Sequence, residues 1–489
     1  MRRDILLLAG GRLAQALLAI ASLRLLTALL SPAQVGSMFL MLSLTSWFGL
    51  FLLNPVGMFI NRHIHGWHQG NILLGRFQIF NLYILAVSVL ALPLIFAGKV
   101  FWGLGADIPL FHFMAAVALY VFTYTWSQTA VQALNMLERR GAFVGLSVLT
   151  AALGLLFSVC ISYLAGRTAY AWIYGQVLAY VLVYIPARLK IKGIKPVPAE
   201  GQRSCPGSPA GSGLGPLWQF AAPLSIATFF MWMQTQSYRV IVEKFAGAEF
   251  LGYLAIGLSI ATSLAGVTES LVQQLYYPDF YKRIHGAAQS DRVAALSDLA
   301  RKTIPVYVML ALFTLFMAQH LTRLLVNPKF HAAWKFAAIG ALIELFRMIT
   351  NIFSAAAHSE MKTSALIWPY FWGGLVTSAA VLTACVLGVP KLFIPAGMAA
   401  GGLLTLVLVK RRMGELADFR IDKASVLKSL FLCAGFIPAL LFGRQDPLWR
   451  AVLIVAVFGL YFIFAQWQMF FSEKGLLEKF GVPRGTRGA

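Results

Sequence analysis

The chain alternates long apolar segments with short polar turns from its first residues almost to its last. A helix that crosses a bilayer needs about 20 mostly apolar residues, and segments of that length recur throughout the 489 residues. Helices are expected because hydrocarbon offers no partner to unpaired backbone groups. The pattern predicts an all-α fold, a polytopic transmembrane helical bundle of about fourteen spans. We place them at 5–30, 35–60, 77–96, 109–137, 142–164, 169–186, 218–240, 250–275, 304–325, 332–356, 365–387, 392–409, 426–442 and 448–470.

One long segment breaks this alternation. Residues 188–216 begin with basic residues and continue with Pro, Gly and Ser, a composition typical of a flexible linker. We therefore predict an N-terminal six-helix lobe at 1–188, a cytoplasmic linker at 189–216 and a C-terminal six-helix lobe at 217–409. Residues 410–489 are predicted to add two transmembrane helices and a cytoplasmic tail.

The distribution of charge predicts which side of the helical bundle faces the cytoplasm. The formal net charge is +22, with 59% of residues hydrophobic and 12% charged. The basic residues lie mostly in turns on one side of the predicted spans, not along an exposed groove, so no nucleic-acid partner is expected. Cytoplasmic loops are enriched in Lys and Arg. An even number of spans then places both termini in the cytoplasm of a multi-pass membrane protein.

Residues 290–300, before the ninth span, have apolar residues at helical spacing. They are either a short amphipathic helix on the inner membrane surface or an extension of the ninth span.

Two turns indicate an internal repeat. The turn 31–36 joins the first two spans, and the turn 247–252 joins the seventh and eighth; each ends in Gly before an apolar helix. Six spans separate them, which gives the two halves parallel orientation about an axis along the membrane normal.

Polar residues follow one face of the fourth span and one face of the tenth. The fourth has Tyr120, Tyr124, Gln128, Gln132 and Asn135, and the tenth has Glu344, Arg347, Asn351, Ser354 and His358. Ionisable residues within a span are costly and usually face a cavity or a partner. We therefore expect the two stripes, together with Arg24, Glu269 and Arg239 of other spans, to wall an aqueous substrate cavity.

Each of these groups also has a structural interpretation. Glu344 and Arg347 can form an ion pair within one helix, and the amides can join neighbouring helices. Arg24 and Arg239 can extend to the lipid headgroups.

No phosphate-binding loop, metalloprotease motif or nucleophile elbow occurs in the sequence. The four cysteines have no metal-ligand or disulfide spacing. No enzymatic activity and no cofactor or metal are expected.

Several segments resemble bacterial polysaccharide flippases of the multidrug/oligosaccharidyl-lipid/polysaccharide (MOP) exporter superfamily. They are LTALLSPAQVGSMFLML with the following NPVGMFINR, ALNMLERRGAF, and FAAPLSIATFFMWMQTQSYRVIVEKFAGAEFLGYLAI. Two positions depart from the family pattern, which commonly has Arg at the position of Ala28 and Asp at that of Tyr238.

The resemblance implies a bacterial inner-membrane O-antigen-type flippase that moves a polyprenyl-pyrophosphate-linked oligosaccharide outward by alternating access. It also implies coupling to H⁺ or Na⁺, contact with membrane lipids, and association with glycan polymerase or export machinery. Two alternatives remain open. One is an organic-cation or multidrug antiporter of the same superfamily. The other is a membrane-embedded glycan ligase or polymerase, for which Glu269, Glu344 and His358 are the candidates.

Overall fold

The computed structural model describes residues 2–194, 214–284, 288–360, 362–416, 422–442 and 447–471. Most of the predicted linker, residues 195–213, and the predicted tail from residue 472 lie outside this part of the chain.

The described residues form an all-helical protein, as predicted. Sixteen α-helices lie in this part of the chain, joined in places by 3₁₀-helix, of which Ala434–Leu441 is the longest segment. They are α1 Arg2–Leu29, α2 Pro32–Phe48, α3 Asn54–Gln69, α4 Leu73–Trp102, α5 Leu110–Met136, α6 Arg140–Leu164, α7 Ala169–Lys192, α8 Leu214–Thr235, α9 Ser237–Ala246, α10 Ala248–Ile284, α11 Gln289–Leu325, α12 Trp334–Ser359, α13 Ile367–Val386, α14 Phe393–Leu416, α15 Lys423–Cys433 and α16 Leu448–Phe471.

Within the described ranges, thirteen helical segments are long and apolar enough to cross a membrane. They match the predicted spans except the seventh, 218–240. That segment is helical but broken, with α8 ending at Thr235 and α9 beginning at Ser237.

Helix α8 runs antiparallel to the stretch of α2 and α3 that lies between Ser43 and Phe59. Phe220 packs on Phe59 with ring centroids 6.0 Å apart. Further along, the Thr228 hydroxyl donates to the Leu50 carbonyl at 2.6 Å. Near the end of α8, the Ser43 hydroxyl donates to the Gln236 carbonyl at 2.9 Å. Residues 32–69 form one of the thirteen apolar segments, and α8 packs along the middle of it; a fourteenth crossing by α8 stays a prediction.

The helix bounds decide two local points. Residues 290–300 are not a separate surface helix, since α11 runs unbroken from Gln289 to Leu325; the extension of the ninth span is what forms. Helix α7 also continues past the predicted end of its span at residue 186, to Lys192. Proline removes one N–H but does not end this helix.

A five-residue π-helix, Gly49–Leu53, joins α2 to α3 without a break in helix direction. In π register the Leu50 carbonyl would accept from residue 55, which is Pro and has no N–H. The Thr228 hydroxyl supplies the missing donor, and the Tyr83 hydroxyl donates to the Leu52 carbonyl at 2.9 Å. Side chains of neighbouring helices thus satisfy a backbone irregularity inside the membrane.

By internal contacts the chain forms two compact units. Unit 1 comprises residues 1–256, 325–330 and 362–405, and unit 2 comprises residues 257–324, 331–361 and 406–489. This grouping follows contacts and not chain order. The predicted boundaries at 188, 216 and 409 stay a prediction.

The two repeat turns meet each other inside unit 1. A Cβ on Gly36 would lie 1.8 Å from the Ala248 carbonyl oxygen, and a Cβ on Gly252 would lie 2.0 Å from the Pro32 carbonyl oxygen. Gly36 contacts Ala248, and Gly252 contacts Pro32. Gly252 follows Gly36 in the chain at the same separation as Ala248 follows Pro32, so the contact is reciprocal. Small residues permit such close backbone approach between membrane helices. The turns are therefore related by a local two-fold axis, and the separation from Gly36 to Gly252 is the repeat offset.

Candidate transport site in the membrane

A cavity of about 440 Å³ lies beside α5 in unit 1. We call it the α5 cavity; α2, the π-helix, α3, α4 and α5 border it. Its polar lining consists of hydroxyls and amides: Thr45, Ser46, Asn54, Asn61, Tyr120, Tyr124, Thr125, Gln128, Thr129 and Gln132. The lining contains no Asp, Glu, Lys or Arg.

A second cavity of about 360 Å³ lies on the other side of α5, between it and α1, α6 and α7. We call it the Arg12 cavity. It shares Tyr124, Gln128 and Gln132 with the α5 cavity and adds Arg12, Gln15 and Gln176. Arg12 donates to the Gln15 side-chain oxygen at 3.1 Å. The polar stripe of α5 therefore forms the wall between a neutral cavity and one with a guanidinium.

Tyrosines of α5 and α7 that line the two cavities pack against one another. The hydroxyls of Tyr120 and Tyr180 lie 3.3 Å apart, and the Tyr124 ring packs edge-on against Tyr180 at 5.3 Å. Aromatic rings with polar tips are suited to packing against sugar rings while bonding their hydroxyls.

In unit 2, three predicted residues form a buried ion cluster between α10 and α12. Arg347 donates to Glu344 at 2.7 Å and to Glu269 at 3.0 Å. Asn351 donates to the other Glu269 oxygen at 2.8 Å, and the Thr262 hydroxyl donates to Glu344 at 2.7 Å. The carboxyl side chains are only 13% and 10% exposed. One guanidinium thus serves two carboxylates, so the fully ionised cluster has a formal net charge of −1.

The α5 cavity and the ion cluster occupy equivalent places in the two repeats. The bonded pairs Thr262–Glu344 and Glu269–Asn351 are each 82 residues apart. The separation from Gly36 to Gly252 relates each residue of the second repeat to one in the first. Thr262–Glu344 then corresponds to Ser46–Gln128, and Glu269–Asn351 corresponds to Leu53–Asn135. Ser46, Leu53 and Gln128 all line the α5 cavity. The same helix pair therefore holds an open neutral pocket in one repeat and a closed charged cluster in the other.

The other predicted site residues lie elsewhere. The Arg24 guanidinium donates to the Val326 carbonyl. Arg239 donates to the Tyr238 hydroxyl at 3.0 Å and covers the Phe39 ring at 4.9 Å. Neither arginine lines the two cavities, and neither does Asn135. The His358 side chain is outside the described part of the structure.

Two residues that line the Arg12 cavity, both on α7, were not predicted from the sequence. Gln176 and Tyr180 stand one turn apart on α7, where a Gln in an apolar span was the available signal. The helix break at Gln236 was also missed. There the Trp232 indole donates to the Ser43 carbonyl at 3.0 Å, and the Ser237 and Ser378 hydroxyls lie 2.9 Å apart. Broken helices are a recurring feature of transporter sites.

Among the described residues, no cluster of three or more His, Cys, Asp or Glu side chains could hold a metal ion.

Comparison with known proteins gives structural matches only. No protein-family model matches the sequence, and no curated protein sequence does. The lipid II flippase MurJ, in an inward closed conformation, superposes with a TM-score of 0.64 at 11% identity, over 97% of this chain and 99% of MurJ. An inward-facing multidrug resistance MATE family transporter of the MOP superfamily gives 0.58 at 12% identity, over 88% and 99%. A MOP superfamily transporter from Pyrococcus furiosus gives 0.50 at 13% identity, over 84% and 95%.

These likenesses extend over nearly the full length of each transporter. The chain therefore has the fold shared by the flippase and multidrug branches of the MOP superfamily, as the sequence resemblance implied. At 11–13% identity the likeness shows the fold and not the cargo.

Proposed function

We propose that the chain is a MOP-superfamily flippase that carries a lipid-linked oligosaccharide across the membrane by alternating access, without covalent chemistry of its own. The observation that supports it most directly is the lining of the two cavities beside α5. Hydroxyls, amides and tyrosine rings suit a glycan, while the guanidinium of Arg12 suits a phosphate. Gln128 and Gln132 stand between them, where sugar and phosphate of one cargo would meet.

The same lining argues against the multidrug antiporter. An unpaired carboxylate is the strongest partner for an organic cation away from water, and the Tyr120 and Tyr124 rings of the α5 cavity offer only a π-face. The α5 cavity has no acid in its lining, and the charged side chain of its neighbour is an arginine. In unit 2 both carboxylates of the cluster already bind Arg347.

We assign the coupling of transport to an H⁺ or Na⁺ gradient to the ion cluster of unit 2. Two carboxylates with one guanidinium leave one formal negative charge of the cluster without a counter-ion, which makes the cluster the candidate site for a coupling cation. Neutralising that charge would weaken the hydrogen bonds from Thr262 to Glu344 and from Asn351 to Glu269, which join α10 to α12.

The side with most Lys and Arg is proposed to face the cytoplasm of a bacterial inner membrane, with both termini there. Membrane lipids and the lipid-linked glycan are the proposed partners, and polymerase or export machinery would receive the product.

The test is flipping in proteoliposomes that contain a fluorescent polyprenyl-pyrophosphate oligosaccharide, followed by quenching with a membrane-impermeant reagent. The unaltered protein should accelerate quenching of the inner-leaflet probe. Replacing Gln128 and Gln132 by Leu should lower the initial rate about 25-fold, since each lost hydrogen bond is worth about 1 kcal/mol. Gln468→Leu is the matched control, because Gln468 is exposed on α16, and it should leave the rate unchanged.

The same vesicles loaded with an organic cation such as ethidium test the alternative. Cation efflux driven by a proton gradient, with no glycan flipping, would contradict the flippase assignment.

A further inference from the structure

A basic cleft lies where the α5–α6 turn meets the end of α7, away from both cavities. Its volume is about 670 Å³. It is lined by Glu138, Arg139, Arg140, Gly141, Ala142, Lys190, Gly193 and Ile194, and it shares no residue with the α5 or Arg12 cavities. Three cationic side chains and one carboxylate give this lining a formal net charge of +2.

The backbone of the turn adds to the positive potential. Glu138 adopts a left-handed conformation with φ 61°, and the Arg139 N–H returns to the Leu134 carbonyl at 2.8 Å. Helix α6 then begins at Arg140, and its capping residue Arg139 makes no side-chain hydrogen bond to the helix. The first amides of this 25-residue helix, those of Gly141 and Ala142, therefore border the cleft without a capping side chain. Helix N-termini favour anions.

An apolar stripe leads away from the cleft along α7. Leu182, Ile185 and Leu189 recur at spacings of three and four and are 40%, 54% and 62% exposed. Leu189 directly precedes Lys190, so the stripe ends in the helical turn that contributes Lys190 to the lining. A ligand with a phosphate in the cleft and hydrocarbon along the stripe is an amphiphile, and this distinguishes it from a nucleotide or a free anion.

We propose that this cleft binds the phosphodiester headgroup of an anionic membrane phospholipid, with an acyl chain along Leu182, Ile185 and Leu189. Basic pockets between helix ends at the membrane surface recognise such headgroups. The bound lipid would hold the α5–α6 turn against the end of α7. The proposal does not depend on the cargo of the transporter.

The experiment measures lipid binding to the full chain in detergent by native mass spectrometry, with phosphatidylglycerol and phosphatidylcholine as the two probes. Phosphatidylglycerol should bind more tightly. The double variant Arg139→Ala/Lys190→Ala should weaken its binding about 25-fold, because each basic residue near an anionic lipid contributes about one kcal/mol. Phosphatidylcholine binding should not change.

The matched control removes two exposed cations elsewhere, Lys410→Ala/Arg411→Ala at the end of α14, and should leave phosphatidylglycerol binding as it is. Equal loss in both double variants would show non-specific attraction to charge and overturn the proposal. Inorganic phosphate provides the second arm on the unaltered protein: displacement of the lipid by millimolar phosphate would identify a site for soluble anions instead. Equal affinity for the two lipids would also overturn the proposal, even if the double variant did not fold.

Discussion

Arg347 is the residue on which the buried charges of unit 2 depend. Its side chain is 32% exposed, and its guanidinium binds two carboxylate side chains that are less exposed, at 13% and 10%. Removing one partner of a buried pair leaves an uncompensated charge, and this costs more than the pair itself contributes.

We expect Arg347→Ala to lower the free energy of unfolding by about 3 kcal/mol, measured by denaturant unfolding in detergent. Adding Glu269→Gln and Glu344→Gln to that variant should restore most of the loss, since the carboxylates no longer repel each other. Arg412→Ala is the control: Arg412 pairs with Glu415 on an exposed surface, where a pair contributes less than about 1 kcal/mol. If the triple variant were no more stable than Arg347→Ala, charge compensation would not be the reason for the cluster.

At the scale of elements, the helices depart from regular geometry where neighbours supply hydrogen bonds. The π-helix before Pro55 is satisfied by Thr228 of α8, and the break before Ser237 is held by Ser43 and Trp232. Both irregularities lie along the same antiparallel pair, α2–α3 with α8. This pair is therefore joined by polar bonds as well as by packing.

Thr228→Val should lower stability by about 1 kcal/mol, because the Leu50 carbonyl loses its donor at nearly constant side-chain shape. Thr235→Val on the same helix is the matched control. The Thr235 hydroxyl bonds only within α8, to the Met231 carbonyl at 2.8 Å, so its loss exposes no irregular carbonyl and should cost less. Thermal unfolding of both variants compares the two losses of stability. Equal decreases in Tm would show that the π-helix does not need Thr228.

At the scale of the whole molecule, the topology depends on α8. Thirteen crossings would leave the termini on opposite faces, whereas a fourteenth crossing by α8 would return the C-terminus to the face of the N-terminus. The antiparallel contacts from Phe59–Phe220 to Ser43–Gln236 favour fourteen.

We therefore expect green fluorescent protein to fluoresce when fused to either terminus, and alkaline phosphatase to be inactive at both. In a cysteine-free background, a cysteine at Lys244 should react with an impermeant maleimide added outside intact cells. A cysteine at Lys190 should react only after lysis. Active phosphatase at one terminus alone would mean that α8 does not cross.

The chain's apolar segments were sufficient to predict an all-helical membrane bundle, because span length and the need to satisfy backbone groups in hydrocarbon act on each segment separately. The polar stripe of α5 and the Glu344–Arg347 spacing were also readable, since residues three and four apart share a helix face. The repeat could be suspected from Gly36 and Gly252.

Only the tertiary structure decided which side chains meet. It brought Glu269 to Arg347 from another helix, and it paired the two glycine turns, which set the register of the repeat. It also placed Arg24 and Arg239 against partners away from the cavities and Arg12 beside Gln128. Helical periodicity specifies a face but not the neighbour that the face contacts. That neighbour depends on packing between segments far apart in the chain, which local sequence patterns do not encode.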